Sequence, residues 1–264
     1  MSRWWNDHIT LTLLADGALL RRQARGQRQA DLVHVTSTPE NGEELLLAVQ
    51  RAIRERPAWH RAANLTVIAG IRQARTALLP WVDDFVHRED RLAYARLSLR
   101  KQFAGISHDC QIRLSETGHS EPWLAACIEN SLISDLEGLA SAFGWRLVSI
   151  QPVLMAVANT FTRRLNHGPV RLLLLEGERA LLARLEDGHW RGIRTRRLDP
   201  QRSEALPELL AQESLLDPDA TATTSRLCLW AFSARSSQQA AWRRSMIEVL
   251  EAPTHHPLLT HWKD

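Results

Sequence analysis

Apolar and polar positions alternate over residues 6–14, with Ile9, Leu11 and Leu13 set against His8, Thr10 and Thr12. This is the two-residue period of a strand with one buried face. Asp16-Gly17 follows. That dipeptide favours a two-residue hairpin turn and predicts a return strand over 18–23. A third strand is predicted over 32–36. Thr38 and Pro39 then supply a helix cap and a favoured first helical residue ahead of Leu45, Leu46, Val49 and Ile53, which share one helix face. The apolar run 65–69 ends this unit as a buried strand.

The same order returns after residue 168. Strands are predicted over 170–175 and 179–185, then an Asp187-Gly188 turn, a strand over 190–198 and a second cap-and-proline pair, Asp199-Pro200. A helix carrying Leu206, Leu209, Leu210 and Leu215 and an apolar run over 227–232 complete it. The step along the chain from Thr38 to Asp199, between helix starts, nearly equals that from Leu65 to Leu227, between final strands. The step from Asp16 to Asp187, between the Asp-Gly turns, is longer.

Between the two units the pattern is mostly helical. A helix is predicted over 88–103 and a short strand over 111–114. A long helix capped by Ser120 follows, with Leu124, Ile128, Leu132, Leu136, Leu139 and Phe143 down one side as far as Gly144, a glycine suited to ending it. A strand over 145–150 and a helix from Pro152 through Arg164 come next. Residues 166–169 divide the chain into a first half, 1–167, and a second, 168–264. Three strands followed by helix and strand, written twice, predict an α/β fold of two mixed sheets flanked by helices.

At 44% hydrophobic and 24% charged, the 264-residue chain has the balance of a globular protein. No apolar run approaches the ~18 residues of a membrane span, so direct membrane insertion is not expected. Cys110, Cys127 and Cys228 show no CxxC spacing, which argues against a disulfide framework or structural zinc and fits a reducing, cytoplasmic setting. Arginine supplies 31 of the 33 basic residues, but a net charge of +3 over this length makes only a weak field. Nucleic acid is therefore the less favoured partner. Arg21, Arg22, Arg25 and Arg28 with Arg191, Arg194, Arg196 and Arg197 would be its phosphate contacts.

The duplicated unit, with the stretch 124–161 (a long helix, Gly144-Trp145, a strand ending Ile150-Gln151-Pro152 and a helix bearing Leu154-Met155-Ala156), resembles the actin-like ATPase superfamily. Within it the stretch is similar to the PilM-like proteins of type IV pili and to the cytoplasmic domains of type II secretion L proteins. The resemblance implies a duplicated ribonuclease-H-like fold and, in active members, three glycine-bearing turns around a nucleotide. Each looks altered here. The first turn reduces to Asp16-Gly17, and the second is Glu176-Gly177-Glu178. There, two carboxylates would face phosphate, at a cost of ~4 kcal/mol for like charges ~4 Å apart. The third, a glycine pair after the late strand, is replaced by Ala231-Phe232, where a ring would fill the site. No GxxxxGK[ST] or GxGxxG loop occurs elsewhere. The expectation is a degenerate cleft with no cofactor and no hydrolysis.

Other chemistry is weakly signalled. His255, His256 and His261 sit in a proline-flanked tail and predict no metal site. Asp7, Glu176 and Asp187 would be the carboxylates of a two-metal nuclease, an incomplete set. No GxSxG elbow marks a hydrolase, and Asp83-Asp84 reads as a solvated helix start. Ten tryptophans against one tyrosine point to a binding surface, with Trp4, Trp5, Pro80 and Trp81 as candidate contacts. The resulting expectation is a non-enzymatic cytoplasmic scaffold, peripheral at the inner membrane, that binds a cytoplasmic peptide or domain of an inner-membrane assembly protein. A homodimer stays open, and an ATP-binding actin-like protein is the second reading.

Overall fold

The computed structural model describes residues 7–15, 17–27, 29–36, 42–85, 87–103, 105–106, 108–115, 118, 120–199, 205–215, 225–231 and 248–250. In the first half, β1 (Asp7–Leu14), β2 (Gly17–Gln23), β3 (Asp31–Thr36), α1 (Gly42–Arg54) and β4 (Ala63–Ala69) follow one another as the pattern predicts. Next come β5 (Arg75–Leu79), α2 (Arg88–Gln102), β6 (Cys110–Ser115), β7 (Trp123–Glu129), α3 (Asn130–Ala142), β8 (Arg146–Pro152), α4 (Val153–Thr160) and α5 (Thr162–Leu165). The second half runs β9 (Pro169–Glu176), β10 (Arg179–Glu186), β11 (His189–Arg197), α6 (Ala205–Leu215), β12 (Arg226–Ala231) and β13 (Glu248–Val249).

Two five-stranded mixed sheets result, ordered β3-β2-β1-β4-β8 and β11-β10-β9-β12-β13. The orders are equivalent, and so is the register. Leu11 pairs with Val67 and Leu173 with Leu229, so one step along the chain carries both members of the first pair onto the second. The identical step carries the pair Leu14 and Gly17 onto Glu176 and Arg179. The longer step between the Asp-Gly turns therefore compares turns that do not correspond. Asp187-Gly188 joins β10 to β11, with positive φ at both residues (49° and 82°) as a type I′ turn requires. The true counterpart of the β1–β2 turn is Gly177-Glu178. Because Leu14 pairs with Gly17, Gly17 opens the return strand rather than lying in the turn, and its missing side chain lets the Val35 carbonyl lie against it.

Of a third, antiparallel sheet ordered β5-β7-β6, only β6 matches a strand of the sequence pattern, the one expected over 111–114. The helix expected from Ser120 is in fact β7 followed by α3, which starts only at Asn130. β7 is the central strand and is buried on both faces. Trp123, Ala125 and Cys127 pack toward α2, and Leu124 packs into the core between the large sheets. Such a strand shows no alternation, and its run joins the period of Leu132, Leu136 and Leu139 by coincidence. The helix expected through Arg164 breaks at Phe161. Gly144 closes α3 with φ 68°, as expected. Thr38, Pro39, Asp16 and Pro200 lie outside the described residues.

Each large sheet is apolar on both faces. Ile9, Leu11, Leu13, Leu65 and Val67 face α1 and α3, while Leu173, Leu175, Leu182 and Leu229 face α6. The remaining faces meet over α4: Leu14, Leu19 and Ile68 on one side, Leu172, Leu174, Leu181 and Trp230 on the other. At the far edge of the first core, Arg22 is buried in an ion pair with Asp7 (2.6 Å) and also reaches Asp31 (3.3 Å).

The Arg25 backbone N–H donates to Asp7 Oδ1 at 2.9 Å. Although burial opposes it, this bond and the Arg22 guanidinium together hold the Asp7 carboxyl below its usual value of 3.8. Burial, with the nearby Arg21 charge, also holds His8 below its usual 6.5. Both shifts put the stabilising contribution above the unfolded-state pKa and remove it as pH falls. Stability should therefore decline first as pH falls below 6.5, through His8, and again below pH 3.8, through Asp7. Urea melts across this range will check it. Asp7→Asn should cost about 2 kcal/mol at neutral pH and flatten the lower limb only.

Candidate functional site: the closed cleft between the large sheets

The C-terminal ends of β1, β4 and β9 converge where the two sheets face each other. The turn after β4 is tight, with the Ala74 N–H donating to the Gly70 carbonyl at 2.9 Å. This leaves the Ile71 N–H pointing out of the turn, and it donates to Glu176 Oε2 at 2.6 Å. Glu176 is the last residue of β9 and only 1% exposed. Its carboxylate lies against Gly70: a Cβ there would fall 2.6 Å from Oε2 and 2.7 Å from the Leu13 carbonyl oxygen. Gly70 is thus required for space. Beside it, Gly177 (φ 53°) brings the β9–β10 turn against the β1–β2 turn, where a Cβ would meet the Ala15 methyl at 3.1 Å.

The two equivalent hairpin turns therefore touch, and a protein carboxylate fills the space where they come together. Arg75 packs below, donating to the Ile71 carbonyl at 3.2 Å. Burial, aided by neighbouring Arg179, lowers the Arg75 pKa.

No family model matches the sequence, and no curated protein does. Solved structures do. A Bacteroides thetaiotaomicron protein of unknown function with an actin-like ATPase fold matches with TM-score 0.63 and 8% identity, covering 94% of this chain and 93% of that one. The chain has the actin-like ATPase fold. The PilM–PilN type IV pilus biogenesis complex matches this actin-like chain with TM-score 0.60, 11% identity, and 92% and 88% coverage. The cytoplasmic domain of EpsL, an inner-membrane component of the Vibrio cholerae type II secretion system, matches with TM-score 0.53, 11% identity, and 96% and 93% coverage.

Of the second-turn residues anticipated for the nucleotide, Glu176 and Gly177 form this contact. Glu178 instead pairs at the surface with Arg197 at 2.8 Å. Phe232 lies outside the described residues, as do Trp4, Trp5, Arg28, His255, His256 and His261. Sequence reasoning passes over Gly70 and Ile71. A signal for them exists, because the step that relates the two halves carries Gly70 onto Phe232, the position of the altered third turn.

The nuclease carboxylates do not converge. Asp7 is at the opposite end of β1 and is held by Arg22, and Asp187 accepts from the Gly168 N–H at 2.8 Å in its turn. No group of three potential metal ligands exists among the described residues. All three cysteines are buried, with the Cys127 and Cys228 thiols pushed up to about 12 by burial.

Most of the arginines named as possible phosphate contacts are buried or ion-paired within the chain. Arg21 and Arg22 are buried, and Arg191, Arg194, Arg196 and Arg197 all meet carboxylates of this chain. Among the described residues Trp59, Trp123, Trp145 and Trp230 are buried, while Trp81 and Trp190 are half-buried. The Trp81 ring lies 5.2 Å from that of Trp123, and its Nε1–H donates to Asp83 at 2.6 Å. These rings close the end of the small sheet's core, and Pro80 beside them is exposed.

Glu176→Ala leaves the buried Ile71 N–H without its carboxylate and should destabilise by ~1–3 kcal/mol. Gly70→Ala should cost at least as much, because the carboxylate and the Leu13 carbonyl cannot both be accommodated. Chemical denaturation of the two variants and of the double variant gives the check. The double variant should be less destabilised than the sum of the singles, since both act on one contact.

Proposed function

We propose that this actin-like chain, with halves 1–167 and 168–264, is a non-catalytic scaffold of a bacterial envelope machine of the type IV pilus or type II secretion kind. It recruits the cytoplasmic segment of an inner-membrane partner. The observation that carries this reading is the Glu176 carboxylate on the Ile71 N–H. Active members of the superfamily need glycine-bearing backbone open to phosphate between the two hairpin turns. Here the turns are in contact, and an acidic side chain already takes the N–H group. A phosphate entering would have to displace that carboxylate or sit against it, which electrostatics opposes.

The similarity of fold to PilM in its complex with PilN, and to the EpsL cytoplasmic domain, supports the choice of machine. No helix among the described residues is long and apolar enough to cross a membrane. In this reading the partner supplies the membrane attachment. An extended partner segment would bind through main-chain hydrogen bonds at a sheet edge and apolar side chains in adjacent pockets. The end of β5, with Pro80 and Trp81, is the surface we assign to it.

Two measurements test this. Millimolar Mg-ATP should leave the melting temperature unchanged. Ligand at ~100 times its Kd would add ~2.7 kcal/mol and several degrees, and a shift of that size lost on changing Gly70 or Ile71 would promote the ATP-binding reading. In cells of the source organism the protein should sediment with membranes and be released by an alkaline wash without detergent. A distribution confined to the soluble fraction would reject recruitment by a membrane partner.

A further inference from the structure

Two adjacent arginines on β2 have opposite surroundings. Arg22 shares the face of Leu20, toward α1, and is balanced by Asp7 and Asp31. Arg21 lies on the other face with Leu19, two residues further from the closed cleft, and is only 9% exposed. Among the described residues its one side-chain hydrogen bond runs from Nη2 to Gln23 Oε1, at 2.8 Å. Its Nε is buried without an acceptor, and no carboxylate of the described residues bridges to the guanidinium. Burial lowers the Arg21 pKa with no acidic group to offset it.

Across the sheet the rung through Arg21 runs Thr10, Arg21, Leu32, from β1 through β2 to β3. Thr10 is buried, whereas Leu32 is 46% exposed. β3 is the edge strand, with β2 as its one partner among the described strands. Asp31, Leu32, His34 and Thr36 are exposed along it, while Val33 and Val35 anchor it to the core under α1. A strand edge turns backbone N–H and C=O groups outward on alternate residues, a template for one more strand. A residue of such a strand opposite Leu32 would lie about 10 Å from Arg21, two strand spacings away on the same rung. Extended arginine and glutamate side chains together span that gap.

We propose that β3 accepts an extended segment of a partner protein as a further strand, with a glutamate of that segment pairing with Arg21 over Leu32. Charge complementarity selects an acidic segment. An arginine held out of water without a counter-charge is costly, and a carboxylate beside it offsets that cost through charge-assisted hydrogen bonds. Guanidinium carries five N–H donors, so the bond to Gln23 leaves room for a carboxylate. Main-chain pairing along β3 supplies affinity, and the glutamate supplies specificity. The added strand carries its carboxylate along the sheet face instead of toward it from solvent, which is how a nearly buried arginine is reached. This surface is separate from the end of β5 assigned to the membrane partner, and its occupation involves no nucleotide.

The test titrates the full chain with a capped heptapeptide of alternating threonine and valine whose central residue is glutamate, and with the analogue carrying glutamine there. Backbone amide NMR should place the shifts on Asp31–Thr36 and give ~tenfold or tighter binding of the glutamate peptide over the glutamine one. Arg21→Gln should erase that difference and melt at or above the wild-type temperature, since an uncompensated buried charge is gone. Leu32→Glu places a carboxylate beside Arg21 within the chain itself. It should melt above wild type and weaken the glutamate peptide ~tenfold or more. Absence of binding, equal affinity for the two peptides, or shifts confined to the end of β5 overturns the proposal. So does a dimer of the free chain that Leu32→Glu disperses while neither peptide binds, which would make β3 an interface between copies. The scaffold reading stands on its own two tests, so its failure and this one are distinguishable.

Discussion

The burial of α4 between the two large sheets is the constraint from which the rest of the arrangement follows. Its Val153, Leu154, Ala156 and Val157 are all buried, and the apolar surface they present is met from one side by Leu14 and Ile68 and from the other by Leu172, Leu174 and Trp230. A helix apolar on opposite sides has no stable position at a protein surface. Once it is enclosed, the C-terminal ends of β1, β4 and β9 are brought to one place, and the distance between the two hairpin turns is no longer adjustable. What occupies that space is then decided by a few side chains rather than by the fold.

The duplication makes those side chains conspicuous. When the second half is laid on the first in the register of its strand pairs, Leu14 corresponds to Glu176, and Gly70 to Phe232. At several core positions the halves replace like with like: Leu11 by Leu173, Leu65 by Leu227, Val67 by Leu229. Apolar residues are exchanged for apolar ones wherever the demand is only to fill a core. At the junction the two copies diverge, and the carboxylate from one copy meets the backbone N–H beside the glycine of the other. The contact is thus a product of asymmetry within a nearly symmetric frame.

The large sheets are legible in the sequence because their strands announce themselves. β1 alternates, β10 and β11 are joined by an Asp-Gly turn, and β9 and β4 are short apolar runs that buried parallel strands require. Of the small sheet only β6 is legible, as the strand expected over 111–114. β7 carries Trp123-Leu124-Ala125-Ala126-Cys127, apolar throughout because it is buried on both faces, and it runs without a break into α3. β5, Arg75–Leu79, is too short to establish a period. The candidate site is half legible. Glu176 and Gly177 stand out as a damaged turn, whereas Gly70 and Ile71 become meaningful only when a carboxylate from the other half of the chain is seen to lie against them.

The small sheet also changes how this chain reaches its native state. β4 and β8 are parallel neighbours, yet everything from β5 to α3 is threaded between them, so Ala69 meets Pro152 across about half the length of the first half. In the second half the equivalent strands, β12 and β13, are joined by the short stretch between Ala231 and Glu248. One sheet topology is thus closed through connections of very different length, and rates fall as the contacts that must form become more distant along the chain. The inserted segment has its own apolar cluster around Leu99 and Trp123. Collapse of that cluster shortens the effective loop before β8 docks. Two copies of one architecture therefore make different demands on loop closure, a short one in the second half and a long one in the first.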